Sequence, residues 1–130
     1  MTEFSDALRI LSSGLKAQGQ RIRHVAENIS NADTPGYRRK TVAFQAMVDE
    51  GRRSGEVEAG PVRLDRADLR RIHDPNHPMA GPDGFYDGSN VNLILEIADA
   101  QEAQRSYEAN LKMFEQTRRM SSSLYDILKR

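Results

Sequence analysis

Apolar residues recur at alternating steps of four and three from Phe4 to Ile29. The series is Phe4, Leu8, Leu11, Leu15, Gln18, Ile22, Val25 and Ile29, with one polar member. This rhythm is that of an amphipathic helix built for a helix–helix seam, and it constrains the chain more than any other feature. Ala7, Gly14 and Ala26 widen the stripe with small residues that permit close approach. Pro35 biases Thr34 towards extended backbone, so the helix is expected to end by about Asn31 or Ala32. A second seam runs through the other end of the chain: Leu93, Ile97, Ala100, Gln104, Tyr107, Leu111, Phe114, Arg118, Ser121, Tyr125 and Leu128. Beside it lies a further line, Met113, Thr117, Met120, Leu124 and Ile127. A double stripe implies more than one neighbour, because a single partner needs only two positions in seven.

Between the helices the composition changes. Four of the five prolines and seven of the nine glycines lie within residues 36–88. Residues 41–48, with Val42, Phe44, Ala46 and Val48 at alternate positions, predict a strand with one buried face. Weaker strand signals lie at residues 56–59 and 62–64, and Pro82-Asp83-Gly84 carries the chemistry of a turn. The expected fold is therefore mainly α: terminal helices paired as an elongated coiled coil, with a small loop-rich β module between them. The expected segments are 1–36, 37–89 and 90–130.

Charge and composition narrow the function. Nineteen basic and nineteen acidic side chains cancel, which argues against nucleic-acid binding. Apolar residues make up 38%, aromatics 6%, and tryptophan is absent, so a lone chain has little with which to fill a core. Either the fold is small and elongated, or neighbouring chains complete its core. Without cysteine there is neither a disulfide framework nor a thiolate zinc site. The first residues lack the features of a cleavable secretory signal, and no stretch has the length of a membrane span.

Catalytic readings fare poorly. His73 and His77 stand four apart around Asp74, but Pro75 and Pro78 oppose the helix that would align them, and spacing suggests no third ligand. A metal-dependent hydrolase is thus a remote alternative to a rigid loop. Asn28-Ile29-Ser30 fits a glycosylation sequon yet falls inside the predicted helix. No phosphate-binding glycine motif is present, and no cofactor or catalytic small molecule is expected. The Asn28/Asn31 pair has two readings: termination of the helix, or hydrogen bonds across to another helix.

The segment Ala26-Glu27-Asn28-Ile29-Ser30-Asn31-Ala32-Asp33-Thr34-Pro35-Gly36-Tyr37-Arg38-Arg39 resembles the N-terminal signature of the bacterial flagellar rod, hook and hook-associated axial proteins. Tyr107-Glu108-Ala109-Asn110-Leu111-Lys112-Met113-Phe114 resembles their C-terminal helix, and Asp74-Pro75-Asn76-His77-Pro78 with Asn90-Val91-Asn92 resembles the short proximal-rod member. Tyr86-Asp87-Gly88-Ser89 stands where that member commonly has a Tyr-Pro pair, and Leu93 where Pro or Val is common.

The resemblance implies a structural subunit of the basal-body rod, not an enzyme. It would leave the cytoplasm through the flagellar type III export apparatus without a cleavable signal and join a helical hetero-oligomer in the periplasmic space. Its partners would be other rod subunits and the rod–ring adapter, and it would transmit torque from motor to hook. The terminal helices would line an inner tube around the export channel, mobile in the free subunit and ordered on assembly, with the middle module facing outward. On that reading Leu8, Leu11, Leu15, Ile22 and Val25 pair within the chain against Tyr107, Leu111, Phe114, Leu124 and Leu128. Contacts between subunits fall to Asn28, Asn31, Thr34, Pro35, Gly36, Tyr37, Arg38, Arg39, Met113, Met120 and Ile127, with Asn28, Asn31 and Arg38 expected to bond to the next subunit. Another axial protein of the same superfamily, and a helical adapter or export-chaperone-like protein, are the alternatives.

Overall fold

The computed structural model describes residues 2–129; Met1 and Arg130, the outer ends of the expected terminal segments, lie outside the described residues. Helix α1 spans Thr2–Ser30 and helix α2 spans Leu93–Lys129. Between them lie β1 (Lys40–Thr41), β2 (Phe44–Asp49), β3 (Arg52–Ala59), β4 (Arg63–Leu64), β5 (Arg71–His73) and β6 (Phe85–Asp87). The strands form three separate antiparallel pairs, β1–β4, β2–β3 and β5–β6. Helices of 29 and 37 residues hold about half of the chain, so the expectation of a mainly α fold is corrected to a mixed one: two long terminal helices with a small strand module between them.

The helices run antiparallel. Gly14 lies against Asn110, Arg21 bonds Asp99, and Asn28 meets Glu96. A spacing that sets 14 against 110 and 28 against 96 sets Thr2 against about position 122, at the common rise of about 1.5 Å per residue. The last turns of α2 therefore extend past the start of α1.

Side chains on α1 follow the four-three rhythm: Leu8, Leu11, Leu15 and Ile22 are half-buried and Val25 is buried. On α2 the inward line keeps Ala100, Tyr107, Phe114 and Ser121 of the apolar series, but at the alternate positions it runs one residue earlier, through Glu96, Ala103, Asn110 and Thr117. Glu96 and Ala103 are buried, and Ala100, Tyr107, Asn110, Phe114, Thr117 and Ser121 are half-buried, whereas Leu93, Ile97, Leu111, Leu124 and Leu128 are exposed. Small and polar residues together with Tyr107 and Phe114 face α1, and the large aliphatic residues Leu93, Ile97 and Leu111 are turned away. Leu111, Leu124 and Leu128 are accordingly corrected as partners of α1. Leu111 stands one position off the inward line, while Leu124 and Leu128 lie where α1 has ended.

The other side of α1 carries the β2–β3 hairpin. Asp49 pairs with Arg52, leaving Glu50-Gly51 as a two-residue loop with both φ positive (47° and 79°). Positive φ at both positions defines the type I′ turn, whose twist matches the strands it joins. Further along, the register shifts between Ala46 and Val48, and Gly55 in the opposing bulge has φ 86°. A Cβ there would stand 3.0 Å from Ile10 Cδ1, so the glycine admits the α1 side chain. Ser13 Oγ donates to Ile10 O at 2.7 Å and accepts from Val57 N at 3.1 Å, fixing β3 to the helix. Buried Ala17 is the small residue at this crossing. The expected buried face of residues 41–48 is absent: every residue of β2 is exposed, because β3 alone lies between it and α1.

The inward line of α2 has no room to spare at its centre. Ala103→Leu should overpack it, costing about 1–3 kcal/mol and lowering the thermal midpoint followed by circular dichroism. An unchanged midpoint would show that the helices do not close there.

Candidate functional site: the junction of helices and strand module

Three segments meet where α1 ends, and their side chains knit them into one unit. Asn92 caps α2, its Oδ1 accepting from Ile94 N at 3.1 Å and Leu95 N at 3.4 Å. This places Glu96 one turn in, fully buried and facing the end of α1. A carboxylate taken from water requires compensating partners. Arg39 Nε donates to Glu96 Oε1, and Asn28 Nδ2 donates to Oε2 at 3.4 Å. Burial works against the Arg39 charge, but the hydrogen bond and charge of Glu96 outweigh it and hold the guanidinium above its ordinary pKa. Asp65 adds a second carboxylate 3.6 Å from Arg39.

Asn28 is the hub. It is 1% exposed, and every polar atom of its amide is engaged. Nδ2 donates to Lys40 O at 2.9 Å as well as to Glu96; Oδ1 accepts from Lys40 N at 2.9 Å and from Tyr37 Oη at 2.8 Å. The side chain thus mimics a strand partner for β1 while tying in both helices. Burial raises the Tyr37 pKa, with Glu27 and Glu96 adding to the effect against Lys40.

The exit from α1 is equally specified. Asn31 Nδ2 donates to Glu27 O at 2.9 Å beside the backbone bond that Asn31 N makes to the same carbonyl at 3.0 Å, and Asn31 Oδ1 accepts from Thr34 Oγ1 at 3.1 Å. Gly36 adopts φ 74°, which turns its N–H onto the carbonyls of Asp87 and Gly88, both at 3.2 Å. Asn90 Oδ1 accepts from Arg39 N at 2.7 Å, and Ser89 Oγ donates to buried Ala32's carbonyl. Arg38 Nη1 and Asn90 Nδ2 both reach the carbonyls of Asp65 and Ala67, at 3.0–3.2 Å, and strap residues 65–67 to the junction.

For Asn28 these bonds correct the expectation, since it is buried with both amide atoms engaged within the chain; Asn31, Arg38 Nη1, Arg39 and the Tyr37 hydroxyl also have partners within the chain. Thr34 and Gly36 remain exposed at the tip of the turn with half-buried Pro35, and Met113, Met120 and Ile127 are exposed on α2. Glu96, Asn90, Ser89 and Asp65 were not anticipated. Asn90 and Asn92 had a signal in the N-V-N resemblance; Glu96, one acid among several on an amphipathic helix, had none.

The histidine loop joins β5 to β6. His77 stacks on Tyr86 with centroids 3.8 Å apart and accepts from Met79 N at 3.1 Å through Nδ1, while His73 meets Phe85 edge-on at 4.8 Å. Among the described residues no cluster of histidine and acidic side chains is arranged to hold a metal. The geometry of the junction ties segments of one chain to each other.

Two family models match this chain. "Flagella basal body rod protein" covers residues 8–38, which run from α1 through the junction turn, and "Flagellar basal body rod FlgEFG protein C-terminal" covers 83–127, from β6 through most of α2. The chain is 43% identical to the flagellar basal-body rod protein FlgC of Agrobacterium fabrum, over 99% of this chain and 98% of that protein. Identity to FlgC of Salmonella typhimurium is 31%, over 85% of this chain and 87% of the relative, and to FlgC of Bacillus subtilis 29%, over 98% and 99%. The chain belongs to the FlgC family of flagellar basal-body rod proteins. Its role is that of a structural subunit of the rod and not of an enzyme. In this FlgC-family chain both matched stretches enter the junction, so the resemblance carried by residues 26–39 and the network around Asn28 describe the same place.

Replacing Asn28 with Ala strands the Tyr37 hydroxyl, both backbone groups of Lys40 and one oxygen of Glu96. The loss should be on the order of 3 kcal/mol, because unpaired buried polar groups cost about 1–3 kcal/mol each while the groups that regain water cost little. Denaturant titration measures it, and a loss below about 1 kcal/mol would remove Asn28 from the centre of the network.

The Lys40–Glu27 pair at 2.7 Å sets a pH dependence. Its hydrogen bond lowers the Glu27 pKa and raises that of Lys40. Stability from the lowered carboxyl is present above its unfolded value of 4.5 and is lost as pH falls through the folded value; stability from the raised amine is present below 10.5 and is lost as pH rises through its folded value. The stability difference between wild type and Lys40→Met should therefore be flat from pH 6 to 9 and shrink towards both extremes. A difference that persists below pH 3 would contradict the pairing.

Proposed function

We propose that this subunit assembles with other rod proteins into a helical hetero-oligomer around the export channel and carries torque from motor to hook. The observation that carries the reading is the apolar surface left on α2. Ile127 is 67% and Leu128 70% exposed, with Met113, Met120, Leu124 and Tyr125 along the same helix, whose end outruns the described start of α1. Isolated exposed apolar residues are ordinary, but a stripe along one helix edge marks an interface.

Paired as a coiled coil through the small-residue seam, the segments 1–36 and 90–130 form the inner-tube domain, and 37–89 faces outward. Met113, Met120 and Ile127 pack on neighbouring subunits, and Thr34, Pro35 and Gly36 touch the next chain at the tip of the junction turn. Heterologous contacts of this kind do not close on themselves and generate a helix. The rod–ring adapter is a further partner, and the subunit reaches the periplasmic space through the type III export apparatus. No described helix is long and apolar enough to cross a membrane.

Ile127→Asp tests the reading. Since the side chain is exposed in the single chain, monomer stability should change by less than about 0.5 kcal/mol. Export should persist while incorporation into basal bodies falls at least tenfold and motility is lost, because a desolvated charge in a helix contact costs several kcal/mol. Normal basal bodies in a motile mutant would overturn it.

A further inference from the structure

The strap held by Arg38 and Asn90 separates two clefts of opposite character. One is lined by Arg38, Thr41, Arg63, Leu64, Asp65 and Arg66. Arg63 and Arg66 are exposed and enter no ion pair among the described residues, while Asp65 faces Arg39; exposed Leu64 supplies an apolar floor. The other cleft is bordered by Asp33 and Asp68, both exposed and unpaired among the described residues, with Leu93 and Ile94 beside them. Ile94 is 79% exposed. Arg70 lines this cleft too, but its guanidinium is turned onto Val91 O at 3.0 Å. The clefts share no residue.

Each cleft thus joins unpaired charges to uncovered large apolar side chains, and the two charge signs are opposite. A solvated ion pair alone contributes about 0–1 kcal/mol, so charge selects orientation while Leu64, Leu93 and Ile94 supply the burial. The occupant that satisfies both clefts at once is a second copy of the same chain, set head to tail. The chain's zero net charge leaves no bulk repulsion against such stacking.

We propose that the basic cleft of one copy, through Arg63, Arg66 and Leu64, seats on the acidic cleft of the next, through Asp33, Asp68, Leu93 and Ile94. The contact rests on the assembly reading above and specifies which faces meet. Being heterologous, it repeats from copy to copy without closing.

The chain contains no cysteine, so Asp33→Cys with Arg66→Cys in one chain provides a clean crosslinking probe. Mild oxidation of isolated basal bodies should yield dimers and higher multimers of this chain alone, absent with either cysteine singly. A second arm reverses charge: Arg63→Glu with Arg66→Glu, or Asp33→Arg with Asp68→Arg, should each lower basal-body content of the chain about tenfold, and combining all four should restore at least half. All four side chains are exposed, so circular dichroism of the variants should match wild type. Crosslinks solely to a different rod protein, no crosslinks in basal bodies that contain the chain, or a fourfold variant no better than the pairs would overturn the proposal and leave the rod assignment standing. Absence of the wild-type chain from basal bodies would overturn both.

Discussion

Everything in this chain hangs on the burial of one carboxylate. Glu96 sits fully out of water at the start of α2, and its solvation must be replaced by Arg39 and Asn28, which come from the strand entry and the end of α1. Meeting that demand places both helices and the first strand in one arrangement. Asn28 then extends the constraint to Tyr37 and Lys40, and Asn90 carries it to the strap at residues 65–67. A structural subunit under torsional load benefits from such a junction, because a fully satisfied polar network has one low-energy geometry where an apolar contact tolerates sliding.

The two ends of the molecule answer opposite requirements. At the junction, polar groups are consumed within the chain and nothing is left to advertise. Along α2 the reverse holds: alanines and polar side chains close on α1 with Tyr107 and Phe114, and most of the large apolar residues remain outside. This division lets a chain with few apolar residues fold its junction alone while deferring the rest of its burial to assembly.

Much of this was legible from the residues, and the failures share a cause. The α1 seam could be read because its apolar positions are also its inward positions, and Pro35 marks where it must stop. The α2 seam was read one position off at every second member, since periodicity weighs large aliphatic residues and here Ile97 and Leu111 face away while Tyr107 and Phe114 face in. Ala103 and Asn110, which do close on α1, carry little hydrophobic signal. Strands β5 and β6, three residues each, are too short to show alternation. Glu50-Gly51 lacks the Asn-Gly or Asp-Gly signature of its turn. The partnership of Glu96 with Arg39, 57 residues apart, has no local trace at all.

The resemblance of residues 26–39 to the axial proteins pointed to the right place and suggested contacts between chains, whereas buried Asn28 has both amide atoms engaged inside its own chain. The most direct test of that distinction is a density map of the intact basal body at side-chain resolution. It should show Asn28 bonded to Lys40 and Glu96 of its own chain, with the Met120–Ile127 edge of α2 against a neighbour. Asn28 turned outward and bonded to another chain would contradict the account.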